Sequence, residues 1–152
     1  MAASNPWADL RTAVRTRLVG RVPELAASCE TWNGEEDERL YRLARTHGAA
    51  AWIRVRAARA VAGSPRAKDS VDAEIEILAV AATTATRANA AEGAEALSWR
   101  IRSALRGHTP VPWATNEGCA FASQAMLSSS SSAHAVQLLF TLTLHLAQWA
   151  TT

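Results

Sequence analysis

The chain has 152 residues, 49% of them hydrophobic, and a formal net charge of +2. That length and apolar content suit one domain with its own core and exclude a disordered chain. No apolar run approaches the ~20 residues of a membrane span, residues 1–10 lack a signal-peptide core, and the near-neutral charge lacks a nucleic-acid binder's basic footprint.

The first element is a helix. Asn5 suits the N-cap, Pro6 the first helical position and Asp9 the positive end of the dipole. Leu10, Val14 and Leu18 form one stripe, Arg11, Arg15 and Arg17 lie mostly off it, and Gly20 and Pro23 end the element. Residues 33–47 read as a second helix capped by Asn33. Glu35, Glu36, Asp37 and Glu38 crowd its first turn, and Arg39, Arg42 and Arg45 fill the later ones, as the macrodipole favours. Leu40, Leu43 and Ala44 form its buried side, and Gly48 stops it.

Two strands follow. Trp52, Ile53 and Val55 alternate with Arg54 and Arg56; Ala73, Ile75 and Ile77 alternate with Asp72, Glu74 and Glu76. Gly63, Ser64 and Pro65 break the chain between them, and Arg66, Lys68 and Asp69 follow, so the pair reads as a hairpin with a long tip. Pairing Arg54 with Glu76 and Arg56 with Glu74 sets Ile53 opposite Ile77 and Val55 opposite Ile75. One face is then ionic and the other apolar.

A third helix spans 89–106. Asn89 and Glu92 make its capping pattern, Ala94, Leu97, Ile101, Ala104 and Leu105 its apolar stripe, and Gly107 its stop. Arg100, Arg102 and Arg106 load its C-terminal end. Pro110 and Pro112 make an extended connector to Trp113. A strand over 118–127 is expected to place Phe121, Ala125 and Leu127 on one side, and the serine run 128–132 is the tip of a second hairpin. In the last strand Leu138, Phe140, Leu142, Leu144 and Leu146 face one way, and Gln137, Thr141, Thr143 and His145 the other; Leu139 interrupts that polar face and hints at a second buried surface. The expected fold is α+β, in the order α-α-ββ-α-ββ: a single domain over residues 1–152, with a four-stranded antiparallel sheet of two hairpins and the helices on one face.

Residues for bond-making chemistry are scattered. His47, His108, His134 and His145 lie apart from one another and from Cys29 and Cys119, with no metal-ligand spacing. The cysteines read as reduced, semi-buried thiols. No nucleophile elbow occurs, the serines beside His134 form a loop rather than fixed geometry, and no glycine cluster makes a phosphate loop. Glu74 and Glu76 read as a sheet face opposite arginines, not as a catalytic dyad. No enzyme activity, cofactor or metal is expected. Arg54, Arg56 and Arg59 beside Trp52 offer a basic strand with an aromatic, as in single-strand binders, but the facing acids cancel its field. Of the six tryptophans, Trp52 and Trp99 fit a core, whereas Trp7, Trp32, Trp113 and Trp149 fall near element ends and are candidates for subunit contacts.

In order and texture these elements resemble a known family. The first helix, with Asp9, Leu10 and Arg11, then Leu18, Val22 and Pro23, looks like the opening of small phage tail-completion proteins. The strand around Trp52 to Val55, the long tip, the strand Ala73 to Ile77, the helix from Asn89 to Leu105 and the strand from Leu138 to Leu146 continue the likeness. The chain thus resembles the tail terminators of Mu-like and lambda-like phages and related contractile particles; the helix over 33–47 departs from the pattern. The resemblance implies a structural virion protein of the neck, assembled in the host cytoplasm. It implies a homo-hexameric ring that ends tube polymerisation and joins head to tail. The implied partners are the tail tube protein, head–tail connector or neck proteins and, in contractile particles, the sheath; no membrane or direct nucleic-acid contact is implied. Alternatives are another neck component, an adaptor or stopper, or a small nucleic-acid-binding regulatory module. The candidate interface residues are Arg54, Arg56, Arg59, Arg66, Lys68, Glu74, Glu76, Glu35, Glu36, Trp113 and Trp149. One contact is expected between the sheet arginines and a neighbour's acidic helix start.

Overall fold

A computed structural model describes residues 5–32, 34, 37–60, 70–84, 89–130 and 132–151. Helix α1 (Pro6–Arg21) starts where Asn5 Oδ1 accepts the Ala8 N–H at 2.8 Å and stops before Pro23, with Leu10, Val14 and Leu18 buried. A 3₁₀ turn at Pro23–Leu25 leads to strand β1 (Cys29–Thr31), helix α2 (Asp37–His47) and strands β2 (Ala49–Ala60) and β3 (Ser70–Ala82). Helix α3 (Ala90–Leu105), capped by Asn89, precedes strands β4 (Ala120–Ser129) and β5 (Ala133–His145) and a short helix α4 (Leu146–Ala150).

The sheet has five strands in the order β1-β2-β3-β5-β4, with β1 parallel to β2 and every other pair antiparallel. This corrects the expected four-stranded antiparallel sheet. The added strand is only three residues, Cys29–Thr31, too short to display an alternation. It is aligned by backbone bonds on either side of its ladder, Ala51 N–H to Ser28 O and Trp32 N–H to Ile53 O. Both hairpins form and share the sheet, because β5 lies between β3 and β4. The β2–β3 register is the expected one, with Arg54 opposite Glu76, Arg56 opposite Glu74, Ile53 opposite Ile77 and Val55 opposite Ile75.

The helices occupy both faces rather than one. Helices α1 and α3 cover the face of Ala51, Ile53, Ile75, Ile77, Leu138 and Phe140, which forms the larger core. Helix α2 covers the opposite face, where Leu40 and Ala44 pack with Ala50, Trp52, Val80 and Ala135. Strand alternation makes this necessary: β2 and β3 carry apolar residues on both faces toward their Ala49 and Ala82 ends, so one helix layer cannot cover them.

Three further expectations change. Trp99 is 62% exposed instead of buried. It lies two residues from both Leu97 and Ile101, on the side of α3 away from their stripe. Phe121, Ala125 and Leu127 do not share one side. Register shifts at Phe121/Ser123 and Met126/Ser128 insert extra residues, and each such bulge reverses the side-chain alternation. The last strand ends at His145, and Leu146 begins α4.

Candidate functional site: an ionic sheet face and an uncovered edge

The pairing of β2 with β3 brings four of the candidate residues together on the face shared with α2. Glu76 is 1% exposed and accepts from Arg54 through Nε at 3.1 Å and Nη2 at 2.6 Å. Arg56 Nη2 lies 3.3 Å from Glu76 and 3.4 Å from Glu74. Trp32, fixed by its N–H bond to Ile53 O, places its ring 5.0 Å from the Arg54 guanidinium carbon. The cluster is therefore neutralised within the chain. Its arginines hold a buried carboxylate rather than standing free to take an acidic partner.

The other candidates are spread out. The backbone of Arg59 pairs opposite Asp72 beyond a register shift. Glu35, Glu36, Arg66 and Lys68, and the helix cap expected at Asn33, lie outside the described residues. Trp113 is buried in the larger core, and its carbonyl accepts the His145 N–H at 2.8 Å. Trp149 is half-buried and donates from Nε1 to Asp9 Oδ2 at 2.8 Å, tying α4 to α1.

Among the described residues, no three His, Cys, Asp or Glu side chains converge as metal ligands. Cys29 and Cys119 are free and buried; burial pushes their thiols up to about 12 and about 11, so both stay protonated and unreactive near neutrality. His134 Nδ1 lies 2.9 Å from Ser129 Oγ at the end of the second hairpin, an exposed pair. His108 borders an open cleft of about 440 Å³ with Arg17 and Arg21. Burial first, then the charges of Arg17 and Arg21, lower its pKa below the usual imidazole value.

A different surface escaped the reading of the sequence. Among the described residues, the exposed large apolar side chains are Trp99, Met126 and Leu127, and all lie on or beside β4. Arg102 links Trp99 to the start of the strand: its guanidinium carbon lies 3.8 Å from the Phe121 ring centre and 5.1 Å from that of Trp99. Phe121 in turn meets Phe140 edge-on at 5.7 Å. The available signal was the stretch Ala120–Ser129 itself, which contains no charge and no proline. No protein-family model matches the chain, and a search of curated proteins finds no significant match. No helix among the described residues is long and apolar enough to cross a membrane.

Proposed function

We propose that this chain is a structural assembly subunit of the tail-terminator kind. It forms a ring, with six copies expected, on the head-proximal end of a tail tube, where it ends tube growth and presents the surface that neck proteins join. The observation that carries the reading is the succession of α1, the β2–β3 hairpin, α3 and the β4–β5 hairpin folded about one sheet. That is the same succession on which the resemblance rests. The edge strand β4 is a second support: it exposes Met126 and Leu127 and carries no charge or proline, and such an edge is a template for pairing with another chain.

A ring needs two different patches that meet head to tail and close on rotation. The test is native mass spectrometry of the full chain, alone and mixed with tail tubes of the particle it derives from, followed by imaging of the mixture. The expected result is a six-copy ring that forms alone or on the tube end. A lone monomer that leaves tube length unchanged overturns the reading.

A further inference from the structure

Several arginines answer an acid within the fold: Arg39 meets Glu30, Arg54 meets Glu76 and Arg100 meets Glu24. Two on α1 do not. Among the described residues, Arg17 and Arg21 form no ion pair. They stand four residues apart and so share one side of the helix. Together they wall two clefts, one of about 440 Å³ with His108, Ala13 and Pro110, the other of about 240 Å³ with Arg100 and Ser103. Among the described residues, no carboxylate lines either cleft.

The donors are held in place. Arg17 Nε donates to Ala104 O at 2.9 Å, which ties the guanidinium to the end of α3 and leaves its Nη groups unused. His108 is clamped by its backbone: its N–H donates to Leu105 O and its carbonyl accepts from the Cys119 N–H, both at 2.9 Å. The rings of His134 and His145 meet serines, whereas the His108 ring bonds no described residue. An arginine near a helix C-terminus is ordinary, because it answers the dipole. That role accounts for Arg17 Nε. It does not account for two unpaired cations beside a histidine. Burial first, and then these two charges, push the imidazole toward its neutral form. An anion between the three groups removes that repulsion and gains charge-assisted hydrogen bonds.

Two guanidinium groups and the N–H of a neutral imidazole match a doubly charged oxyanion. A lone carboxylate would leave one arginine unanswered. A cleft of this size takes a small ligand, and a chain of net charge +2 lacks the extended basic surface of a nucleic-acid binder. We infer that the cleft between α1 and the segment after α3 binds a small phosphate-type oxyanion, with Arg17, Arg21 and His108 as its donors. The site belongs to a single copy and does not depend on a ring.

The test uses the full chain with labelled histidines, at constant ionic strength made up with chloride. Inorganic phosphate is expected to shift the His108 ring signals saturably, and His108→Gln assigns those signals. Sulfate, which stays doubly charged across the histidine range, should raise the His108 pKa and leave those of His47, His134 and His145 in place. Arg21→Gln removes one exposed donor that bonds no described residue. It should weaken phosphate about tenfold, the worth of one charge-assisted hydrogen bond. Arg45→Gln, on exposed α2 surface, should leave the affinity unchanged. Circular dichroism verifies each fold. No saturable shift, a shift of the same size with chloride alone, or equal affinities of Arg21→Gln and wild type overturns the site. So does a cleft that ignores phosphate and takes a DNA oligomer instead.

Discussion

Glu76 is a carboxylate with 1% exposure on the ionic sheet face, and Arg54 reaches it with two donors. Removing one partner of such a pair leaves a desolvated charge, which costs about 3 kcal/mol. Arg54→Ala is expected to lose stability in urea unfolding up to that order, because Arg56 Nη2, 3.3 Å from Glu76, still offers the carboxylate one partner. Arg56, whose side chain is 49% exposed, should lose under ~1 kcal/mol as alanine, because solvent screens it. The same geometry makes Arg54→Glu a test of folding rather than of assembly. His108 gives the pH-dependent counterpart. Its folded pKa lies below the ordinary 6.5, first through burial and then through Arg17 and Arg21. The unfolded chain therefore takes up the proton first as pH falls. The stability this neutral histidine contributes is complete above 6.5 and lost as pH falls through its folded value. Arg21→Ala should raise the His108 pKa in an NMR titration; an unchanged value would remove Arg21 as a cause.

At the scale of elements, the turn before β4 depends on one glycine. Gly118 has a φ of 73°, and a Cβ there would sit 2.5 Å from the carbonyl carbon and oxygen of Gly107. Gly107 has the same φ but open space around its missing Cβ. Gly107→Ala should therefore cost only the left-handed penalty of roughly 1–2 kcal/mol. Gly118→Ala should cost clearly more, because backbone must shift, and thermal unfolding of the two variants separates the terms. Such a close approach depends on a distant segment, and no local pattern announces it. Local patterns did announce the capped helices α1 and α3, whose apolar stripes repeat over several turns, and the β2–β3 register, which charge alternation fixed. Three-residue β1 carries too little alternation to read. The face that α2 takes depends on which side of the sheet α1 and α3 leave open. The β4 bulges arise from pairing with β5, so the division between Phe121 and Leu127 was not visible in the strand alone. At the candidate site, the Arg54–Glu76 and Arg56–Glu74 pairings were legible from spacing. The burial of Glu76 was not, because alternation places a residue on a face but does not say how deeply that face is covered. The contact of Trp99 and Arg102 of α3 with Phe121 of β4 joins residues that only the fold brings together.

For the whole molecule, two clusters of side chains share one sheet. Strands β2, β3 and β5 send alternate residues to the larger core under α1 and α3 and to the smaller one under α2. Neither cluster can come apart without exposing the back of strands that hold the other, so the domain should unfold in a single transition. Leu40, 2% exposed, is the largest aliphatic side chain that α2 buries in the smaller cluster, and truncating such a residue to alanine costs about 2–5 kcal/mol. Leu40→Ala should lower the one calorimetric transition while keeping the calorimetric and van't Hoff enthalpies equal. An early separate transition in the variant would mean instead that α2 and its cluster are an independent layer, added to a sheet that α1 and α3 already stabilise.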